Sequence, residues 1–186
     1  MDTILQLKIL LRGTKPPIWR RVLVKKTITF EALHDVIQIA MGWTNSHLHE
    51  FAVNGTRIGQ PLDEFDLSYG EDLLDESTVI LGSVLDKVKQ QINYTYDFGD
   101  SWEHSIMVEK LHPDDTTMFY PACIGGKLNC PPEDCGGIPG FYELQAILAD
   151  KRHPDRREMV AWLGGPYDAQ AFDQEKVNRQ LSRLSR

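Results

Sequence analysis

QINYTYDFGDSWEHSIMVEK, residues 91–110, is the stretch that decides the fold class. Side chains alternate between the two sides of a β-strand. Ile92, Tyr94, Tyr96 and Phe98 therefore share one face of the first run, and Trp102, His104, Ile106 and Val108 share one face of the second. Gly99, Asp100 and Ser101 stand between the runs and supply turn chemistry. The stretch reads as a β-hairpin with YDFGDSWEH (96–104) at its tip. An Asp-Phe-Gly triplet also holds magnesium in protein kinases. A kinase further needs a Gly-rich loop over the phosphates, a strand lysine, a catalytic-loop aspartate and two lobes. The chain carries none of the first three, and 186 residues leave no room for the fourth. In the turn reading, Phe98 continues the apolar face, Gly99 permits the reversal, and Asp97 or Asp100 bonds local backbone N–H groups.

Working outward, TILQLKILLR (3–12) and IWRRVLVK (18–25) are β-rich runs separated by GTKPP, and predict a second hairpin. In TFEALHDVIQIAMGW (29–43), Leu33, Val36, Ile37, Ala40 and Met41 recur at helical spacing. Thr29 suits the N-cap and Gly42 the position after the last turn. HLHEFAVNGTRIG (47–59) alternates up to Val53 and turns at Asn54-Gly55, so the first 60 residues run β-β-α-β-β. The run 63–76 carries seven acids and no base, and reads as a solvated connection. TVILGSVL (78–85) reads as a short strand and turn. Residues 120–140 are too rich in Gly and Pro for a helix or central strand and predict an ordered or metal-tied loop. Helices are expected over 140–149, 154–163 and 173–184, with Asp173 as an N-cap. Strands preceding helices without βαβ alternation give an α+β class, in one domain spanning 1–186. Within it, 1–60 is the β-β-α-β-β start, 61–90 the acidic connection and short strand, 91–139 the hairpin and Cys/Pro/Gly loop, and 140–186 the C-terminal helices.

Composition fits an ordinary globular protein, with 41% hydrophobic and 25% charged residues. A net charge of −7 opposes a general phosphate-binding surface, so nucleic acid is not a favoured partner. The exception is local: Lys176, Arg179, Arg183 and Arg186 crowd the C-terminal end, on a helix whose apolar side is Val177, Leu181 and Leu184. The N-terminus lacks the pattern of a signal peptide, and no apolar run approaches the roughly 18 residues that span a membrane. A cytoplasmic location is expected, with no membrane contact.

Cys123, Cys130 and Cys135 lie close together in the Gly/Pro-rich loop, a pattern that favours metal or plain thiols over a disulfide framework. Structural zinc takes Cys₃His or Cys₄ sets gathered on turns. Three thiols lack one ligand; His104 is placed to supply it, with His47 and His49 as alternatives. Otherwise the cysteines are small buried apolar residues. A second site is a cleft, formed if the loop folds over the hairpin tip and brings together Asp97, Asp100, Trp102, Glu103, His104, Glu133 and Asp134. Such a set offers carboxylates and an imidazole for acid–base work or for a hard cation. The four tryptophans, Trp19, Trp43, Trp102 and Trp162, read as core or hinge anchors.

YDFGDSWEHSIMVEK (96–110), YPACIGGKLNCPPEDCGGIPGFYELQAIL (120–148) and AWLGGPYDAQAFDQEKVN (161–178), with PPIWRRV (16–22) and HLHEF (47–51), resemble the plasmid pRiA4b open-reading-frame-three family. The resemblance covers nearly the whole chain. It implies an α+β roll with a mixed or antiparallel sheet, similar to a β-grasp, and a link with mobile elements, but no established activity. The chemistry of recombination is missing. A serine resolvase needs an early nucleophilic serine beside arginines, whereas the first serine here is Ser46, and the acidic balance also opposes a tyrosine recombinase. With no nucleophile–base pair and no cofactor loop, the expectation is a non-enzymatic module that binds a protein or small molecule and carries one structural zinc. A metal-dependent hydrolase or nuclease accessory using the Asp/His/Cys cleft is the first alternative, and a DNA-associated accessory factor the second.

Overall fold

The computed structural model describes residues 2–61 and 73–184. Most of the acidic run 63–76 and the terminal Arg186 thus lie outside the described residues. In chain order the elements are β1 (Thr3–Leu11), β2 (Ile18–Lys25), α1 (Phe30–Met41), β3 (His49–Val53), β4 (Thr56–Gly59), β5 (Leu73–Asp75), α2 (Leu81–Val84), β6 (Gln91–Tyr96), β7 (Trp102–Pro113), β8 (Ala122–Lys127), α3 (Gly137–Ala149), α4 (Arg156–Trp162) and α5 (Gln174–Leu181). The strands form one mixed sheet in the order β5-β4-β3-β6-β7-β1-β2-β8. Every pairing is antiparallel except β4 with β5. This is an α+β protein, as the alternation predicts.

The period-two pattern sets what is buried. Leu5, Leu7, Ile9 and Leu11 of β1 join Val22 and Val24 of β2, Tyr94 and Tyr96 of β6, and Ile106 and Val108 of β7 in one core. Phe30, Leu33, Val36, Ile37, Ala40 and Met41 of α1 complete that core. Thr29 caps α1 by accepting the Ala32 N–H, and Gly42 ends it with φ 91°. That left-handed conformation carries little penalty for a residue without Cβ.

Arg20 carries a cation into the interior. Arg20, 2% exposed, donates to the carbonyls of Ala40 (2.8 Å), Trp19 (2.8 Å) and Lys127 (3.1 Å) and to Cys130 Sγ (3.0 Å). Its guanidinium stands 4.3 Å from the Phe172 ring. Carbonyl dipoles and a π face thus replace water around the cation, tying α1, β2, β8 and the segment before α5 together.

Four expectations need correction. TVILGSVL contributes the helical turn α2 and, at Ile80, an isolated bridge to Thr29, because the segment is held by backbone bonds from Leu81 to Ile28 and from Gly82 to Lys26. Phe98 does not continue the inward face: β6 stops at Tyr96, and the ring is 42% exposed in the turn. Residues 120–140 are not all loop, since Ala122–Lys127 pairs with β2 as an edge strand, where Gly is tolerated, and α3 begins at Gly137. Trp162 is no core anchor at 47% exposure, unlike the buried Trp43 and Trp102. Among the described residues, no helix is long and apolar enough to cross a membrane.

Candidate metal centre

At the tip of the β6–β7 hairpin the chain takes φ values of 57° at Asp97 and 54° at Ser101. Aspartate tolerates the left-handed region because its short carboxylate bonds nearby backbone. Asp97 Oδ1 accepts the Gly99 N–H (2.9 Å), and the Asp97 N–H donates to Leu48 O (2.9 Å). One carboxylate oxygen is thus spent on the turn and Oδ2 is left over, on a side chain only 10% exposed.

The loop after β8 folds back onto this tip. The Gly136 N–H donates to Asp100 Oδ2 (3.1 Å), and a Cβ at Gly137 would lie 2.5 Å from Asp100 O. Only glycine admits that approach. Glu133 pins the other side: it accepts the Tyr96 hydroxyl (2.5 Å) and both the N–H (3.0 Å) and hydroxyl (2.6 Å) of Thr44. Burial, then the Glu133 carboxylate, raises the Tyr96 pKa above the usual phenol range. The Ser46 N–H donates to the same phenol oxygen (2.9 Å). Segment 44–47, the hairpin tip and loop 131–137 therefore meet.

Where they meet, His47 Nε2 stands 3.0 Å from Asp134 Oδ1 and 3.8 Å from Asp97 Oδ2. The nitrogen is buried yet makes no hydrogen bond. Donor atoms about 2.1 Å from a shared ion stand about 3.0–3.4 Å apart at octahedral or tetrahedral angles. The His47–Asp134 distance falls in that range and the His47–Asp97 distance just outside it; this imidazole and two carboxylates, their ligand atoms within 4.8 Å of one another, are the only set of three or more His, Cys, Asp or Glu side chains gathered for a metal ion among the described residues.

The sequence-predicted residues divide accordingly. Asp97, Asp100, Glu133 and Asp134 do assemble at the seam. Glu103 does not: it is exposed on β7, 3.9 Å from Arg12. Trp102 and His104 point into the core, each 0% exposed. Neither ring nitrogen of His104 makes a hydrogen bond of good geometry, and burial pushes its pKa down to about 4. Cys123, Cys130, Cys135 and His104 are not brought together, no three of them forming a common group. Cys130 is buried against Arg20 and Met41, and Cys123 packs against the Gly125 carbonyl. Burial raises the Cys130 thiol to about 11; burial, then the Asp100 charge, raises Cys135 to about 12. These are neutral thiols, not preformed metal ligands.

His47 and His49 do not act as a pair. His49 turns to Glu76, its Nε2 2.6 Å from Oε2, and its ring stacks 3.4 Å from that of His34. His34 is buried, and burial followed by its neighbour His49 pushes its pKa down to about 4. A closed ring of hydrogen bonds fixes its tautomer. Gln38 Nε2 donates to the Tyr94 hydroxyl (3.0 Å) and the hydroxyl to His34 Nδ1 (2.8 Å). His34 Nε2–H donates to Asn45 Oδ1 (2.7 Å), and the Asn45 N–H returns to Gln38 Oε1 (3.0 Å). His34, His47, His49 and Glu76 line a polar cavity of about 620 Å³ beside the seam. The sequence reading missed His34 and Glu76. The available signal was His34 and Gln38 lying within the apolar stripe of α1.

Fold and seam together define the class: an α+β protein built on one mixed eight-stranded sheet, with the loop after its edge strand closed over a central hairpin tip. The chain belongs to the plasmid pRiA4b ORF-3-like protein family, whose model matches residues 3–176. It is 38% identical over 185 residues to the uncharacterized protein y4hQ of Sinorhizobium fredii (strain NBRC 101917 / NGR234), covering 98% of this chain and 93% of that one. Its fold is similar to the crystal structure of the protein of unknown function MM3350 from Methanosarcina mazei Go1. The TM-score is 0.83 at 34% identity, with 94% of this chain and 97% of that one covered.

Proposed function

We propose that this protein is a metal-dependent binding module, in which His47, Asp97 and Asp134 hold one divalent ion. The observation that carries this reading is the buried, unbonded His47 Nε2 facing two carboxylate oxygens from separate segments. Mixed nitrogen and oxygen donors suit a first-row ion such as Zn²⁺ or Mn²⁺ better than Ca²⁺, which takes six to eight oxygens. Three protein ligands leave coordination positions open to a bound molecule. The zinc expected at the cysteines thus moves to the histidine side, while Cys123, Cys130 and Cys135 serve as packing residues.

The test uses tag-free protein stripped with chelator and titrated calorimetrically with Zn²⁺ and Mn²⁺. About one equivalent is expected to bind, and His47→Ala or Asp97→Asn to weaken it by roughly 100-fold. Asparagine keeps the turn, because it tolerates positive φ and its amide oxygen still accepts from Gly99. Binding that survives these changes but disappears in Cys130→Ser and Cys135→Ser would return the site to the cysteines; no uptake by wild type would end the proposal.

A second reading, metal-assisted hydrolysis, is favoured by the His49–Glu76 pair. It lines the cavity beside the ion's ligands, as a carboxylate-oriented imidazole does in acid–base catalysis. Metal-loaded protein would then cleave an activated phosphodiester and lose that activity in Glu76→Gln.

A further inference from the structure

A groove of about 500 Å³ runs between α3 and α4 and reaches the seam at Asp134 and Cys135. Its lining includes the apolar Ile147, Met159 and Trp162 and the acidic Asp134, Glu143, Asp155 and Glu158. No lysine or arginine lines it among the described residues. α4 buries no residue fully, so Met159 and the 47% exposed Trp162 are left half open to solvent. Leaving an indole so exposed on a seven-residue helix forgoes burial that would stabilise the helix. Trp and Met, one rigid and one adaptable, are residue types that anchor protein contacts.

We infer that this groove docks an amphipathic helix of another protein, its apolar side on Trp162 and Met159 and its lysines or arginines on the Glu143, Asp155 and Glu158 carboxylates. Charge complementarity selects that partner. An acidic helix would meet four carboxylates, Asp134 among them, with no lysine or arginine in the lining to offset them. The chain's own basic helix α5 is not the occupant, because its apolar residues Val177 and Leu181 are already buried. The groove shares Asp134 with the proposed metal centre, but the docking does not require a bound ion.

The probe is a fluorescent synthetic helix of leucine and lysine, about 18 residues or five turns long, titrated into metal-free protein by anisotropy. Binding in the micromolar range is expected, with a blue shift of the Trp162 emission. Trp162→Ala and the double change Glu143→Gln/Glu158→Gln should each weaken it roughly tenfold or more. Glu31→Gln, an acid outside the groove, should leave it unchanged. The same peptide with its leucines replaced by serine should not bind. Affinity that ignores the groove variants, or that the serine peptide retains, would mean general adhesion to an acidic protein and would overturn the inference, as would no binding at all.

Discussion

The cysteine side and the histidine side of this molecule invert what the sequence suggests. Cys123, Cys130 and Cys135 are near neighbours in the chain, yet the fold parts them into separate packing positions. His47, Asp97 and Asp134 lie far apart in sequence and come together at one seam. The difference follows from what surrounds each group. Around Cys130 the polar neighbour is Arg20, which donates to the sulfur as well as to three carbonyls, so the thiol is already partnered and packed. Around His47 the turn and the loop each supply one carboxylate, and the imidazole nitrogen takes no hydrogen bond. Chemistry-bearing residue types mark function when their valences are left open, not when they cluster in the sequence.

The largest expected effect breaks the cysteine side. Arg20→Ala strands three carbonyls and the Cys130 thiol in the core, and should cost about 3–5 kcal/mol in urea unfolding. A loss below about 1 kcal/mol would show that water replaces the guanidinium, and that the cysteine side is not a sealed packing region.

Next comes pH, which acts on the histidine side. His34 and His104 have pKa values pushed down to about 4 from an ordinary 6.5, so folding favours their neutral forms. Their stabilisation is complete above about pH 6.5 and is lost as pH falls through 4. Each accounts for on the order of 3 kcal/mol at full protonation. Thermal melts between pH 7 and 4 should show the decline. His104→Leu should flatten it while costing little at pH 7, because neither ring nitrogen makes a hydrogen bond of good geometry. A strong destabilisation at pH 7 would instead reveal a partner for that ring.

The smallest effect is on the thiols. With Cys130 raised to about 11 and Cys135 to about 12, native protein at pH 8 should react slowly with a thiol reagent. All three cysteines should react at once in denaturant. Raised thiol pKa values also mean that stability, complete below about 9, drains away as pH climbs toward 11. Rapid native labelling would place thiolates in this region and blur the contrast between the two sides.

Much of the fold was legible. Period-two runs placed β1, β2, β3, β6 and β7, and Thr29 with Gly42 bounded α1. The edge strand β8 was hidden by its two glycines, and α2 by an apolar run too short to separate a strand from a helical turn. The meeting of Asp97 and Asp134 was foreseeable from turn chemistry at both positions. That His47 would join them, and His49 would leave for Glu76, was not: two histidines on either side of one leucine look equivalent until the start of β3 turns them apart. Glu76 itself sat at the end of an acidic run that reads as solvent-facing. Only pairing with His49 makes its burial affordable.

The order of the strands carries a further consequence. The three residues proposed as ligands come from before β3, from between β6 and β7, and from after β8, so each belongs to a different third of the chain. Closing such long loops is entropically costly, and an incomplete chain has nothing to repay it. On that proposal, a nascent polypeptide that still lacks its last third would hold no ion. Occupancy is therefore a certificate of completeness, available only once the last third has come back to the first.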